Sequence, residues 1–591
     1  MAAEEYKMRL AARRSSLANS DQSAARLGNI RLLVVIAALA CVYWSNWWAL
    51  AAIVLIFFWI GIRIQSLTSA QQRLERAASF YEQSIARLNG KWIGVGNSGD
   101  QHLPEEHLYA RDLDLFGRGS LFELLCQART RVGEQTLAHW LLNPATIETI
   151  QHRQQAVQEL TPNLDLREDL AVLGAGKQRQ LRAAALSAWG EAPATFQQLP
   201  RTLFRFVSLV GAAAACALIA DILGAELPWL RIAYLSMALV CGGILWRYRE
   251  EIKHVLSNAE GAAHEVGLLS EVLARIEAEQ FKSPRLSQLR AQLNVDSLPP
   301  SRQIAKLRRW MDFVDSRDHF LVRLLGPLVL WDLHLSFALE DWRAHSGKAM
   351  RVWIEAVGEI EALSSLAGYH YENPASVFPT IVSEGPHFAA GQLTHPLMPR
   401  EQAVPNDIRL GSELRILVVS GSNMSGKSTL MRTLGINAVL AQAGAPVFAK
   451  TLTMSALAVG ASIQTHDSLA ANTSRFYAEI LRLRDIMQKA GAGVPVLFLM
   501  DEVLSGTNSH DRRIGAQAIL RGLLDRGAIG LASTHDLALT QIAEELNGLG
   551  ANVHFEDQLI DGVMSFDYKM QPGVVTHSNA IGLMRAVGLE V

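Results

Sequence analysis

Residues 415–428 read Arg-Ile-Leu-Val-Val-Ser-Gly-Ser-Asn-Met-Ser-Gly-Lys-Ser, and this stretch indicates the fold of the C-terminal part of the chain. Four apolar residues, 416–419, predict a short strand that leads into a complete P-loop pattern, and a helix is predicted to follow. Glycines in such a loop let backbone N–H groups face phosphate oxygens, and the helix N-terminus adds partial positive charge. A site for nucleotide phosphates is therefore predicted. Its members are Gly421, Ser422, Asn423, Met424, Ser425, Gly426, Lys427, Ser428 and Thr429.

Two P-loop side chains and two acids have predicted chemical roles. Lys427 would reach the β- and γ-phosphates of ATP, and Ser428 would place its hydroxyl on Mg²⁺. A second apolar run, 496–500, ends in Asp501 and Glu502. Asp501 would hold Mg²⁺ through water, and Glu502 would polarise or orient the attacking water. Apolar strands that end in acids are common, so this interpretation depends on the preceding P-loop.

A histidine follows the next apolar run, in Ser533-Thr534-His535-Asp536. At that strand end His535 could contact the γ-phosphate or the attacking water, and we predict a catalytic role for it. A lone histidine is more often structural, so the prediction for His535 depends on its place at the end of this apolar run.

The remaining pattern predicts a multidomain α plus α/β protein. Residues 64–92 and 247–370 read as long amphipathic helices, whereas 372–412 reads as strands and turns. From residue 413 strands alternate with helices, which predicts a mostly parallel sheet covered on both faces. The predicted strands are 415–420, 494–500 and 529–533, and helical patterns cover 437–443 and 512–524.

Two pairs of apolar segments predict transmembrane helical hairpins. Residues 32–62 contain no charged side chain. A single helix of that length would be about 46 Å long against a hydrocarbon core of about 30 Å, so a hairpin that turns near Ser45–Asn46 fits better. Residues 203–220 and 232–246 form the second pair, which is shorter and interrupted. The alternative for both pairs is buried core helices.

Basic residues flank both pairs, and the two connecting turns hold one basic residue, Arg231. By the positive-inside rule both termini and the middle segment lie in the cytoplasm. The expected location is therefore the inner membrane, with a multi-pass topology and a cytoplasmic ATPase domain. The net charge of −2 gives no general attraction to nucleic acid.

These motifs together resemble the ATPase domain of MutS mismatch-repair proteins. The matching residues are Asn423-Met424, Asp501-Glu502 with Gly506-Thr507, and Thr534-His535. The resemblance implies an ABC-like ATPase in which a signature segment of one subunit completes the nucleotide site of the other, so a homodimer is expected. Segment 467–479 is similar to that signature, with Ser474 as the contact to the partner's γ-phosphate. An ordinary helix N-terminus is the alternative for this segment.

The resemblance also has weaker parts and departures. His395-Pro396 resembles the MutS element near the adenine, which assigns His395 to the nucleotide site. Residues 112–153 resemble the start of the MutS lever. Leu504-Ser505 stands where MutS has a Gly-Arg pair, and Ser422 and Ser425 stand where its P-loop has Pro and Gly. Segment 64–108 is too short for the mismatch-reading or connector domain, so neither is expected there.

The expected division of the chain follows from these patterns. It is a cytoplasmic N-terminal segment (1–30), hairpin 1 (31–63), a helical linker (64–108), the first part of the lever (109–202), hairpin 2 (203–247), the second part of the lever (248–371) and the ATPase domain (372–591). The favoured hypothesis is a dimeric, membrane-anchored MutS-like ATPase that uses ATP and Mg²⁺, with DNA binding implied by the resemblance alone. The alternatives are a membrane mechanochemical or scaffold ATPase acting on a protein or lipid, and a nucleotide-gated binding module with slow turnover.

Overall fold

The computed structural model describes residues 2–43, 47–174, 183–196, 199–221, 228–293, 298–422, 425–463, 475–535, 537–546, 548–560 and 563–575. Helices make up the chain before residue 373, and strands alternate with helices after it, as the sequence predicts. The helices are α1 Ala2–Tyr43, α2 Trp47–Leu88, α3 Leu121–Leu125, α4 Arg131–Leu142, α5 Ile147–Leu160, α6 Leu164–Gly174, α7 Ala183–Glu191, α8 Arg201–Ala220, α9 Pro228–Arg247, α10 Arg249–Glu277, α11 Pro284–Leu293, α12 Pro300–Asp315, α13 Phe320–Leu325, α14 Trp331–Ser346, α15 Ala349–Glu372, α16 Lys427–Ala443, α17 Arg475–Ala490, α18 Ser509–Asp525 and α19 Leu537–Glu544.

Ten strands form two sheets in the C-terminal part. They are β1 Thr380–Val382, β2 Phe388–Leu393, β3 Asn406–Leu410, β4 Ile416–Ser420, β5 Thr451–Ser455, β6 Ala458–Ser462, β7 Val496–Met500, β8 Ile529–Thr534, β9 Gly550–Ile560 and β10 Val563–Pro572. The larger sheet has the order β10-β9-β4-β8-β7-β6, and β10 alone runs antiparallel to its neighbour. The mostly parallel sheet is confirmed. Its central strands β4, β7 and β8 are buried throughout, which explains their unbroken apolar sequences.

The first hairpin consists of two long antiparallel helices. Arg14 of α1 pairs with Glu82 of α2 at 2.7 Å, and Gln71 donates to Asp21 at 2.8 Å, so the pairing runs in opposite directions. The predicted turn at Ser45–Asn46 lies outside the described residues. Both helices reach far beyond the apolar run, because residues 2–30 belong to α1 and the helix after residue 63 continues to Leu88. The predicted helical linker 64–108 is therefore α-helical in its first half, up to Leu88. Its second half contains a short 3-10 turn, Asp100–His102.

Polar contacts anchor the charged end of this hairpin to the helical body. Glu372 at the end of α15 accepts hydrogen bonds from Arg87 at 2.6 and 2.8 Å and from the buried Tyr6 hydroxyl at 3.4 Å. The apolar end is solvent-exposed. Stretches Ala2–Cys41 and Ala52–Leu88 are long and apolar enough to cross a membrane, and their most apolar windows are 0% and 6% buried. In the described part of hairpin 1, these windows are therefore not buried within the chain itself.

The second hairpin, α8 and α9, packs against the body along part of its length. A Cβ atom on Gly211 of α8 would lie 2.0 Å from the Leu328 carbonyl oxygen, so only glycine fits there. Cys241 of α9 donates its thiol to the same oxygen at 3.4 Å, and Ser208 lies 2.8 Å from the His334 imidazole. Hairpin 2 is therefore packed against the body at these residues, a feature that the apolar pattern did not reveal.

Helix α15 forms the centre of the helical body, and most of its side chains, such as Trp353 and Ile360, are buried. The loop before α3 connects this body to the larger sheet. Asp112 accepts from the Ile463 backbone N–H at 2.7 Å, and Asp114 pairs with Arg432 of α16 at 3.2 Å. Because α16 starts at the P-loop, the predicted lever region contacts the predicted nucleotide site through one helix.

Candidate functional site

The P-loop lies at the carboxyl end of β4, where the sheet meets α16. Gly421 and Gly426 have positive φ angles of 151° and 107°, a backbone conformation that glycine adopts without strain. The predicted members Asn423 and Met424 lie outside the described residues. The hydroxyls of Ser422 and Ser425 are buried and have no hydrogen-bond partner among the described residues. A phosphate bound in the loop would supply the acceptors that such donors need.

Lys427 bends over this loop. Its ammonium group donates to the carbonyl oxygens of Gly421 at 2.9 Å and Ser422 at 2.7 Å. Burial lowers the pKa of Lys427, while the charges of Asp501 and Glu502 raise it. A partly desolvated ammonium group gains strongly from an anionic ligand, which is the property that a phosphate-binding lysine requires.

Asp501 connects three strand ends. Its carboxylate accepts hydrogen bonds from the hydroxyls of Ser428 and Ser533, and its backbone N–H donates to the Ser462 carbonyl at 2.9 Å. Ser428 and Asp501, the residues predicted to hold Mg²⁺, are thus in direct contact. A hydroxyl and a carboxylate fit this ion, which uses one or two protein oxygens beside phosphates and water. Ser533 was not predicted, because nothing in the sequence pairs the end of β8 with that of β7.

Glu502 lies in a strained turn directly after Asp501. Its φ angle is +48°, and that of Leu504 is +55°, in the left-handed region that costs a non-glycine residue about 1–3 kcal/mol. The buried Glu479 carboxylate accepts from the Leu504 backbone N–H at 2.7 Å, and Arg512 donates to the Leu504 carbonyl at 3.1 Å. These bonds hold a leucine in a conformation that a glycine would adopt freely.

The predicted catalytic pair lies side by side. The Nδ1 atom of His535 is 3.5 Å from Glu502 Oε1, and both side chains are partly exposed. The Glu502 backbone N–H donates to Ser533 Oγ at 3.0 Å, which orients the turn from the neighbouring strand. A carboxylate with a histidine beside it is suited to take a proton from water.

A cavity of about 500 Å³ extends from Lys427, Asp501 and Glu502 to His395, and His535 is not among its lining residues. Burial, and secondly the charge of Arg432, lowers the pKa of His395 to about 4, so its imidazole is neutral near pH 7. On the other wall the ring of Tyr568 lies so near Gly426 that a Cβ atom there would be 3.1 Å from it. Tyr568 was not predicted, although an aromatic ring in this place can cover a nucleobase.

The predicted signature residue Ser474 lies outside the described residues, and its role stays a prediction. The described part begins one residue later, at α17. Phe476 of α17 contacts the turn that follows Glu502, because a Cβ atom added to Gly506 in that turn would lie 3.0 Å from the Cβ atom of Phe476. Together with Glu479, this contact connects α17 to the turn that carries Glu502.

Comparison with known proteins matches two segments of the chain to MutS domains. Residues 107–185 match MutS domain III and residues 417–590 match MutS domain V. The first segment covers the loop and helices that contact α16, and the second covers the P-loop, both acids and His535. The two domains occupy the same parts of the chain as the predicted first lever segment and the predicted ATPase motifs.

Curated relatives are similar over parts of their length. An Endonuclease MutS2 of Thermomicrobium roseum is 35% identical over 200 residues, which are 33% of this chain and 24% of that protein. An Endonuclease MutS2 of Thermus thermophilus is 36% identical over 197 residues, 33% of this chain and 25% of that protein. A DNA mismatch repair protein MutS 2 of Halobacterium salinarum is 28% identical over 305 residues, 50% of this chain and 35% of that protein. The chain therefore spans about a quarter to a third of these relatives, and the matches support a MutS-family protein.

Proposed function

We propose that this chain, a MutS-related protein by its domains III and V, is a membrane-anchored ATPase that hydrolyses ATP with Mg²⁺. The observation that carries this proposal is the Asp501 carboxylate, which the hydroxyls of Ser428 and Ser533 share beside the Lys427 ammonium group. These groups lie at the same edge of one parallel sheet, where α/β folds bind nucleotides.

Each residue has one task in the proposed reaction. Lys427 and the P-loop N–H groups bind the β- and γ-phosphates, and Ser428 with Asp501 would hold Mg²⁺. The ion, when bound, neutralises charge that develops on the phosphates. Glu502 orients the attacking water and accepts its proton, and His535 stabilises the charge on Glu502. His395 and Tyr568 hold the base at the far end of the cavity.

Coupling of this site to the helical body follows from two contacts. Asp114 holds α16 through Arg432, and Asp112 holds Ile463, the last described residue before the predicted signature segment. In the proposed homodimer Ser474 of each subunit would reach the γ-phosphate in the other. Closure of the dimer would then move the loop before α3 and the lever helices with it.

Membrane anchoring is supported by the exposed apolar half of hairpin 1 and its basic flanks. The contacts of Gly211 and Cys241 with Leu328 leave mainly the distal half of hairpin 2 free. That half is about 15–20 Å long at 1.5 Å per helical residue, less than the hydrocarbon core. We therefore propose that hairpin 1 is the main anchor at the inner face of the membrane and that hairpin 2 enters the bilayer less deeply.

Two partner classes remain open for this ATPase. The relatives' names point to DNA, whereas the exposed apolar half of hairpin 1 and the net charge of −2 favour a protein or lipid partner. Turnover in lipid, measured with duplex, mismatched and branched DNA, separates the two. Stimulation by any DNA would support a role related to that of the named relatives. A rate unchanged by all of them would favour the mechanochemical alternative.

Two substitutions test the ATPase itself. In Lys427→Ala we expect ATP binding and turnover to be lost, because the loop no longer carries a cation. In Glu502→Gln binding should persist while turnover falls by about 10²–10⁴-fold, the usual contribution of a general base. Lys450→Ala removes an exposed lysine of the same domain and is the matched control. Wild-type ATP affinity in Lys427→Ala, measured by calorimetry, would refute the P-loop assignment.

A further inference from the structure

A second cavity, of about 900 Å³, lies in the helical body at the base of hairpin 2. Three elements enclose it: the first turns of α8, helix α12, and helix α14. Its lining shares no residue with the nucleotide cavity. Aromatic side chains form one part of the wall, namely Trp310, Phe313 and Trp331. The cavity is thus a separate concave site, of a size that suits part of a lipid-sized ligand.

Positive charge dominates this lining. Arg201 is paired with Asp341 at 2.5 Å, and Asp341 is the one carboxylate among the described lining residues. Arg205, Arg302 and Lys306 also line the cavity, and none of them has an acidic side chain within 4.0 Å in the described part of the chain. Three unpaired cations that converge on one concave surface favour an anionic ligand.

The wall also presents a donor without an acceptor. The indole Nε1 of Trp331 is buried and has no hydrogen-bond partner among the residues described. Buried donors are usually hydrogen-bonded, so this group is available to an acceptor that a ligand would supply. Burial, and secondly the positive charge of Arg205, lowers the pKa of His334, another lining residue.

The position of the cavity indicates what else the ligand must contain. On α8, Leu203 lies between the cavity-lining residues Arg201 and Arg205, and Phe206 directly follows Arg205. Both Leu203 and Phe206 are exposed. Phe313 is exposed at the edge of the cavity as well. A ligand seated here meets cations and an N–H donor together with aromatic and other apolar side chains. Free phosphate would satisfy the cations and leave the apolar and aromatic walls without a partner.

We propose that this cavity binds an anionic phospholipid, with the phosphate headgroup on Arg205, Arg302 and Lys306 and the acyl chains along α8. The inference rests on the proposed membrane association, since that association supplies the lipid. A bound lipid would join hairpin 2 to α12 and α14, two helices of the lever. The membrane would then contribute directly to the position of the lever, independently of the nucleotide.

Binding of a soluble lipid tests the proposal without relying on membrane insertion or ATP turnover. The probe is fluorescent dioctanoyl-phosphatidylglycerol below its micellar concentration, added to the full chain in detergent and followed by anisotropy. We expect Arg302→Gln/Lys306→Gln to weaken binding by about tenfold or more, since charge-assisted bonds are lost. Arg309→Gln/Lys253→Gln is the matched control, because both residues are exposed and lie outside the lining. It should bind within about twofold of wild type.

A second variant keeps the test valid if charge removal affects folding. Trp331→Phe keeps a smaller aromatic ring and deletes the unpartnered N–H, so its thermal unfolding should stay close to that of wild type while lipid affinity falls severalfold. Equal affinity of the cavity and control double variants would overturn the proposal. Affinity for phosphatidylcholine equal to that for the probe would also overturn the proposal, because the site would not select an anionic headgroup. Affinity for glycerol 3-phosphate equal to that for the probe would overturn it as well, because the acyl chains would not contribute to binding. Displacement of the probe by a duplex oligonucleotide at lower concentration would reassign the cavity to nucleic acid.

Discussion

Single residues at the edge of the larger sheet carry the chemistry, and their neighbours set their geometry. Asp501 is positioned by hydroxyls from the P-loop and from β8, and its successor Glu502 occupies a left-handed turn. Leu504 in the same turn stands where MutS has glycine. The hydrogen bonds from Glu479 and Arg512 explain how this departure is tolerated. The catalytic turn therefore depends on α17 and α18 as well as on its own strand.

At the residue scale we predict a role for Tyr568 in base recognition. In Tyr568→Ala the ATP dissociation constant should rise by about tenfold, since an aromatic pair contributes about 0.5–1.5 kcal/mol beyond its area. Tyr568→Phe keeps the ring and should bind ATP nearly as wild type does. Competition with inorganic triphosphate provides the measurement that isolates the base. If Tyr568→Ala weakened triphosphate as much as ATP, the ring would instead be supporting the P-loop through Gly426.

At the element scale, one buried carboxylate joins two helices of the lever. Glu361 of α15 accepts hydrogen bonds from the Thr130 hydroxyl and from the backbone N–H groups of Arg129 and Thr130 at 3.3 Å, directly before α4. Burial outweighs these bonds and raises the pKa of Glu361 from 4.5 to about 7. The domain III segment is thereby fastened to the central helix by a group that titrates near neutral pH.

This carboxylate predicts a pH dependence of stability. Because the folded-state pKa lies above the unfolded one, the contribution of Glu361 is fully present below about pH 4.5 and is lost as the pH rises through 7. The span corresponds to about 3 kcal/mol. The stability of wild type relative to Glu361→Gln should therefore fall between pH 5 and pH 8, as measured by thermal unfolding of both proteins in detergent. A difference that stays constant over this range would show that Glu361 does not titrate there.

At the scale of the whole molecule, the helical body lies between a nucleotide site and two apolar hairpins. Hairpin 1 is tied to α15 through Glu372, and hairpin 2 is tied to the segment before α14 through Leu328. The loop before α3 connects the same body to α16. Packed helices thus link the nucleotide site to both hairpins.

Charges placed in hairpin 1 test the proposed anchor. Leu39 and Phe58 are 66% and 65% exposed in the apolar part, so Leu39→Arg/Phe58→Arg should leave the fold intact. Each arginine costs about 2.5–3.5 kcal/mol at the centre of a membrane helix, and we expect the variant to leave the membrane fraction. Ile514→Arg on α18, where the side chain is 56% exposed, is the control and should stay membrane-bound. Retention of the double variant after carbonate extraction would contradict the anchor.

The local features of this protein could be predicted from its sequence. The P-loop, the apolar strands before Asp501 and His535, and the paired helices of hairpin 1 follow from short motifs and periodicity, because neighbouring residues set backbone conformation and strand burial. The strand ends differ from the predicted ones by one or two residues, for example at Val496. Membership of the nucleotide site could be inferred where motif spacing is known, as for Ser428 and Asp501.

Contacts between side chains that are distant in the sequence were visible only in the tertiary structure. Ser533 on Asp501, Tyr568 over Gly426, Leu328 against Gly211, and the cations around Trp331 are contacts between residues far apart in the chain. No local pattern specifies them, because they arise from the packing of whole helices and strands, whose buried surfaces fit in one arrangement and not in others.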